Sequence, residues 1–111
     1  WVQFDRKVDG RPYGALPDGA AVGVEGNYWV AMYEGACVLQ LSPAGEVLQR
    51  IAVPVQCPTM VCFGGPDLRT LFITSARAGR PVEEQEAAVP AGSLFNVRVK
   101  VAGLPVNPFT C

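Results

Sequence analysis

The sequence predicts an all-β fold made of short strands, and three observations support this prediction. Twelve glycines and ten prolines divide the 111 residues into short segments. None of these segments keeps a helical period over the ~11 residues of an average helix. The segments themselves are apolar throughout or alternate between apolar and polar residues, and both patterns are typical of strands.

The predicted strands form two similar series along the chain. Each series begins with a short apolar strand, passes through a turn and reaches a strand with a large aromatic residue. We interpret Trp29 and Phe72 as equivalent positions, 43 residues apart. The predicted strands are residues 20–24, 28–33, 37–41, 46–53, 59–63, 70–75 and 94–101.

A repeat of ~40–50 residues with four short strands is the period of a β-propeller blade. A small β-sandwich is the alternative, because its short strands also recur at close intervals. The matched order of elements favours two four-stranded blades, at about residues 16–55 and 56–101. Residues 46–53 carry charged and amide side chains and are predicted to form an exposed outer edge. Residues 82–88 lie between two prolines and are predicted to be a loop with at most one helical turn.

The composition excludes several classes of function. Half of the residues are apolar and 17% are charged, which is the opposite of a disordered chain. The net charge is −1 and no basic block occurs, so neither nucleic acid nor an anionic membrane is an expected partner. No apolar run approaches the roughly 20 residues of a membrane-spanning helix. The sequence has no histidine, which excludes Ser-His-Asp and Cys-His catalysis.

The four cysteines, at positions 37, 57, 62 and 111, form no C-x-x-C pair. A zinc ribbon or a thioredoxin-like motif is therefore excluded. Cys37 and Cys62 lie in apolar strand segments, and we expect both to be reduced and buried. A Cys57–Cys62 disulfide is the alternative. Reduced thiols indicate a cytoplasmic protein.

A set of short motifs, in a consistent order, covers nearly the whole chain. The motifs are PDGA at residues 17–20, EGNYWVA at 25–31, CFGGPDL at 62–68, TSAR at 74–77, AGSLF at 91–95 and GLP at 103–105. Together they resemble the C-terminal third of the SMP-30/gluconolactonase/regucalcin family. The resemblance implies a six-bladed β-propeller with a divalent metal in its central channel, and hydrolysis of sugar lactones such as gluconolactone.

The resemblance also implies a role for Asp18. Members of the family hold their metal with a Glu near the N-terminus, an Asn in the middle of the chain and the Asp of the PDG motif, which is Asp18 here. Asp18 would be both a metal ligand and the catalytic proton acceptor. Calcium is the expected ion, with zinc, magnesium and manganese as alternatives, because hard cations prefer oxygen ligands. The substrate-contacting residues of the family lie in earlier blades, so the substrate-binding residues are unknown.

Other residue patterns have simpler interpretations. Pro-Asp-Gly is a common turn tripeptide, which is the structural alternative for Asp18. The run of Glu83, Glu84 and Glu86 is interpreted as a solvated loop, and Arg77 as either a structural ion pair or a residue at the channel mouth. Tyr28, Trp29 and Tyr33 are expected to pack in the core rather than to stack on a sugar. The sequence also departs from the family at Gly23, Ala36 and Cys37.

The sequence thus predicts a metal-dependent sugar-lactone hydrolase, with a non-catalytic calcium-binding or scaffold module as the alternative. Two blades would leave two apolar sheet faces bare, and these need partners. The missing blades of a longer parent chain would cover them, or three copies would close a six-bladed ring. Because the chain starts at Trp1, we favour the longer parent chain.

Overall fold

The computed structural model describes residues 16–105, which fold into two antiparallel sheets. Sheet 1 contains β1 (Leu16–Val22), β2 (Tyr28–Tyr33), β3 (Cys37–Leu41) and β4 (Val47–Ala52), in that order. Sheet 2 contains β5 (Pro58–Gly64), β6 (Thr70–Ser75) and β7 (Phe95–Arg98). The helix in this part of the chain is the single turn α1 (Val82–Gln85). The all-β prediction is confirmed.

The two peripheral elements also agree with the sequence prediction. The β4 strand is the outer edge of sheet 1, and nearly all of its residues are exposed. The helix α1 follows Pro81 and has no buried residue. Among residues 16–105, no helix is long and apolar enough to cross a membrane.

The second sheet is smaller than predicted. Residues 94–101 were expected to form a long strand, but β7 ends at Arg98. The backbone N–H of Val99 donates to the carbonyl of Arg69, which extends the β6–β7 pairing by one residue beyond the end of the strand. Within the described residues sheet 2 therefore has three strands, where a four-stranded blade was expected.

The sheets repeat with an offset of 42 residues. Leu16 corresponds to Pro58 and Val22 to Gly64, since both first strands have seven residues. In sheet 1, Ala21 pairs with Trp29, and in sheet 2, Phe63 pairs with Leu71. The expected equivalence of Trp29 and Phe72 is therefore wrong by one residue, and a shift of one residue places a side chain on the opposite face.

The main core lies between the two sheets. Trp29 packs edge-to-face on Phe63, with ring centroids 5.9 Å apart and an interplanar angle of 86°. Phe72 is half-buried and lies outside this core. The buried members are Trp29, Ala31, Val38, Val53, Val55, Val61, Phe63, Leu71 and Ile73.

The outer faces of the two sheets differ. On sheet 1, a second cluster is buried, consisting of Val30, Met32, Cys37, Leu39 and Leu41. On sheet 2, Met60, Cys62 and Thr74 are exposed. The expectation of two bare faces is therefore wrong for sheet 1. The expected burial of Cys62 is also wrong, because Cys62 points away from the core that its neighbours Val61 and Phe63 enter.

Residues 102–104, which we call the closing segment, join the two sheets through backbone hydrogen bonds. Val24 N donates to Ala102 O over 2.9 Å, and Leu104 N donates to Val22 O over 3.0 Å. Gly103 N donates to Leu68 O over 2.8 Å. The closing segment therefore binds the β1–β2 connection of sheet 1 and the β5–β6 connection of sheet 2 at the same time.

Candidate functional site

Asp18 is the third residue of β1. The predicted first strand began at residue 20, so Asp18 was expected to lie just before the strand. It lies in an irregular part of the strand, because Pro17 pairs with Met32 whereas the next paired residue, Ala20, is opposite Val30. Such a bulge bends the strand and redirects a side chain. The Asp18 side chain is exposed. Its carboxylate is therefore available to a ligand.

Gly19 places Asp18 at the junction of the two sheets. A Cβ atom at Gly19 would lie 2.7 Å from the carbonyl oxygen of Thr59 and 2.8 Å from Cα of Met60. Cβ atoms do not come this close to backbone atoms, so only glycine at position 19 allows β1 to approach β5 so closely. The carboxylate of Asp18 is thus held where the first strands of both sheets meet.

The donor set around Asp18 is incomplete for a metal ion. The Asp18 carboxylate is a hard oxygen donor, which suits calcium, magnesium or manganese. Residues 16–105 contain no group of three or more His, Cys, Asp or Glu side chains that could hold a metal. Asp18 fits as one ligand, but this part of the chain does not hold a cation on its own.

A cleft of about 230 Å³ runs between β1 and β5. The side chains that line it are apolar apart from the thiol of Cys62. The lining residues are Ala20, Ala21, Val22, Met60, Val61, Cys62, Phe63, Leu104 and Pro105.

Among the described residues, the two buried cysteines, Cys37 and Cys57, are not activated thiols. Burial raises the pKa of the Cys37 and Cys57 thiols, which keeps them protonated. Cys37, Cys57 and Cys62 are free cysteines in the structure. The alternative of a Cys57–Cys62 disulfide is therefore not observed.

The acidic run at residues 83–86 has two kinds of member. Glu83 and Glu86 are exposed, as expected for a solvated loop. Glu84 instead accepts two hydrogen bonds from Arg80, at 3.2 Å from Nε and 2.9 Å from Nη2. Arg80 also lies 3.6 Å from a carboxylate oxygen of Glu34. Its hydrogen bonds with Glu84 raise the pKa of the Arg80 guanidinium.

Arg80 thus connects the β2–β3 turn of sheet 1 to the loop that carries α1. This connection was not predicted from the sequence. The signal was the spacing of four residues between Arg80 and Glu84, which places an ion pair on one side of a helical turn. The contact with Glu34 has no local signal, because 46 residues separate Glu34 from Arg80.

The remaining candidates are structural. Arg77 donates from Nη1 to the carbonyl oxygen of Gln85 over 3.2 Å, and the Gln85 side chain donates back to the carbonyl of Arg77. Trp29 is buried in the main core, which confirms its expected packing role. Tyr28 packs against the second cluster, and Tyr33 lies beside the guanidinium of Arg80.

Asp67 and Arg98 form an exposed bidentate pair that no sequence motif indicated. Arg98 Nη1 lies 3.0 Å from Oδ1 of Asp67, and Arg98 Nη2 lies 2.6 Å from Oδ2. The hydrogen bonds from Arg98, together with that from the Arg69 backbone N–H, hold the pKa of Asp67 well below its usual range. The pair joins the β5–β6 turn to β7.

Residues 2–77 match the SMP-30/Gluconolactonase/LRE-like region, which is more than half of the chain. The chain belongs to this family. It is 50% identical over 93 residues to the 6-deoxy-6-sulfogluconolactonase of Pseudomonas putida, covering 84% of this chain and 32% of that protein. It is 38% identical over 97 residues to the regucalcin of Bos taurus, covering 86% of this chain and 32% of that protein.

A solved structure has a similar fold. The structure of a calcium-binding protein, regucalcin from Agrobacterium tumefaciens, aligns with a TM-score of 0.74 at 29% sequence identity. The alignment covers 86% of this chain and 32% of that one. The chain therefore spans about a third of the length of the relatives it matches.

Proposed function

We propose that residues 16–55 and 56–101 are two adjacent blades of a six-bladed β-propeller, and that the complete protein is a metal-dependent sugar-lactone hydrolase. The family membership and the named activity of the Pseudomonas putida relative support this proposal. The structural observation that supports it is the exposed Asp18 carboxylate at the convergence of β1 and β5.

Asp18 has the chemistry of a proton acceptor in this reaction. Attack of water on a lactone carbonyl requires removal of a proton from the water, and an ionised carboxylate within hydrogen-bond reach can accept it. The bulge in β1 and the contact of Gly19 with β5 hold the Asp18 backbone in place.

Asp18 would also be one ligand of the divalent cation, with calcium expected and zinc, magnesium or manganese as alternatives. When bound, the cation would supply positive charge to stabilise the oxyanion of the opening lactone. The other ligands would come from the missing blades of a longer chain or from further copies of this one. We also propose a cytoplasmic location, with no role for nucleic acid or membrane.

The proposal is tested with the complete protein and gluconolactone, in the presence of calcium, zinc, magnesium or manganese in turn. We expect Asp18→Asn to lower kcat by about 10²-fold or more, since a general base contributes 10²–10⁴-fold. Glu83→Gln, an exposed carboxylate on α1, is the matched control and should retain activity. Equal activity of Asp18→Asn and the parent protein would contradict the role of Asp18.

The alternative is a non-catalytic calcium-binding or scaffold module. It is supported by the solved relative that is described as a calcium-binding protein. Titration calorimetry with calcium distinguishes the two functions. Calcium binding without hydrolysis of any lactone would support the module, whereas hydrolysis that depends on Asp18 supports the enzyme.

A further inference from the structure

The edge strand of sheet 2, β7, points a row of backbone groups away from the sheet. Val99 N donates to Arg69 O, so the backbone groups of Val99 and of every second residue before it point toward β6. In an antiparallel pair the residues between them point the other way. Asn96 and Arg98 therefore present their backbone N–H and C=O groups outward, where no strand among residues 16–105 pairs with them.

The two edge strands differ in how well they are protected against further pairing. The β3–β4 pairing of sheet 1 is irregular between Gln40 and Leu41, and such bulges protect an edge strand. The β6–β7 pairing has no irregularity. The β7 strand therefore has the regular backbone that is expected of a strand paired on both sides.

A cleft of about 640 Å³ lies beside β7 and continues the main core outward. Trp29 and Ile51 of sheet 1 line one side of it, and Val97, Val99 and Val101 line the other. The three valines are only half-buried. A strand added to β7 would place every second side chain in this cleft and complete the burial of the valines.

The chain that follows β7 does not supply this strand directly. In sheet 1, a tight turn in which Gly45 N donates to Ser42 O leads from β3 into β4. In sheet 2, the closing segment instead crosses to the β1–β2 connection, where Val24 N donates to Ala102 O. The chain therefore leaves the outer edge of sheet 2 at the point where sheet 1 turns back to add its fourth strand.

We infer that the outer edge of β7 binds a β-strand from the part of the complete protein that lies outside residues 1–111. The chain spans about a third of the length of its relatives, so a longer polypeptide has ample length to supply this strand. Apolar residues at every second position of the strand would face the cleft. The inference shares the longer chain with the proposed function but does not depend on catalysis.

Hydrogen exchange of single amides in the complete protein, measured by NMR, tests this pairing. The Arg50 amide is the matched control, because Val53 N donates to Ala36 O and the same alternation points the Arg50 N–H away from β3. The amides of Asn96 and Arg98 should exchange about 10²-fold more slowly than that of Arg50, since paired amides exchange only when the structure opens. Equal exchange rates would show that β7 is an open edge and that the inference is wrong.

A proline substitution tests the same pairing through stability. Proline lacks the N–H group and is tolerated on an open edge strand but not between two strands. In the complete protein, Asn96→Pro should therefore lower Tm by about 5 °C more than Arg50→Pro. Asn96→Ala keeps the N–H group and should melt close to the parent protein. Equal effects of the two proline variants would contradict the inference.

The source of the strand is identified by nuclear Overhauser contacts from the Asn96 and Arg98 amides. Contacts to residues outside 1–111 of the same molecule would support the inference. Contacts within residues 1–111, or only between differently labelled molecules, would contradict it, the latter showing that a second copy pairs with β7. The Asp18→Asn assay is independent of this result, so an open edge together with hydrolysis that depends on Asp18 would reject only the added strand.

Discussion

Gly19 is the residue on which the junction of the two sheets depends most directly. An added Cβ would meet the Thr59 carbonyl and the Met60 backbone, neither of which can move without shifting β5. We expect Gly19→Ala to reduce the free energy of unfolding by about 1–3 kcal/mol, the usual cost of an overpacked site.

Gly23→Ala is the matched control for this change. An added Cβ there would meet its nearest atom, the Ala102 carbonyl oxygen, at 3.5 Å, which is an ordinary contact. Urea unfolding of both variants measures the difference. A Gly19→Ala variant as stable as Gly23→Ala would mean that β1 and β5 do not approach as closely as the structure has them.

Ala36 occupies a backbone conformation that favours glycine. Its φ is 52°, in the left-handed region, where the Cβ atom costs roughly 1–2 kcal/mol. Replacing it by glycine releases this cost, and the greater flexibility of the unfolded chain cancels roughly 0.5–1 kcal/mol of the gain. We therefore expect Ala36→Gly to stabilise the fold by about 0.5 kcal/mol. Ala52→Gly, in the extended strand β4, should instead be destabilising in the same urea titration.

The Asp67–Arg98 pair gives a pH dependence with a defined sign. The folded chain lowers the pKa of Asp67, so the unfolded chain binds a proton more readily at low pH. The stabilisation is therefore complete above the ordinary carboxyl pKa near 3.8 and is lost as the pH falls below it. Asp67→Asn should flatten the stability profile below about pH 4. If the free energy of unfolding falls equally steeply below pH 4 in the variant and in the parent protein, this role of Asp67 is wrong.

At the scale of single residues, the sequence was informative where a short motif carries the chemistry. Asp18 could be identified because Pro-Asp-Gly occurs among several other motifs in one order. Met60 could not, because a methionine in an apolar strand has the same pattern as a core residue. Its exposure and its contact with Gly19 are seen only in the structure.

Among the elements, the loop between β6 and β7 is held to sheet 1 by Arg80. The Arg80 side chain is only 9% exposed and lies between the carboxylates of Glu84 and Glu34. Its removal would leave two partly buried carboxylates without this guanidinium. We expect Arg80→Met to cost about 1–3 kcal/mol of stability.

Hydrogen exchange measures where that loss occurs. Amides of residues 76–92 should exchange faster in Arg80→Met, while those of β6 change little, because local contacts govern local opening. Glu83→Gln, on the same helical turn but exposed, serves as the control and should exchange like the parent protein. Uniform acceleration in all strands would show that Arg80 supports the whole fold rather than the loop.

The strands themselves were predictable, but their faces were not. The β2 sequence is apolar at nearly every position because both of its faces are buried, and such a strand has no alternation to show which side a residue occupies. Aligning Trp29 with Phe72 by their aromatic character therefore gave the wrong register. The same ambiguity in β5 led to the expectation that Cys62 is buried. The register of Trp29 and the face that Cys62 occupies are both determined by backbone pairing, which depends on residues distant in the sequence.

For the whole molecule, the exposed outer face of sheet 2 predicts association of the isolated 111-residue chain. Met60 and Cys62 are exposed there and Phe72 is half-buried, whereas the corresponding face of sheet 1 is buried. Light scattering should give a mass above the 11.8 kDa of one chain. Phe72→Thr should reduce association more than Leu48→Thr, which alters the exposed edge strand β4. A folded monomer would contradict this prediction.

The closing segment has a consequence for how this fold can diverge during evolution. The hydrogen bonds of residues 102–104 to Val22, Val24 and Leu68 use backbone atoms only. Except at Gly103, where an added Cβ would collide with Phe63, side chains in these connections can therefore be exchanged without breaking these hydrogen bonds. Natural variants would then inherit the close approach of β1 to β5 at Gly19, even when most surface positions have drifted.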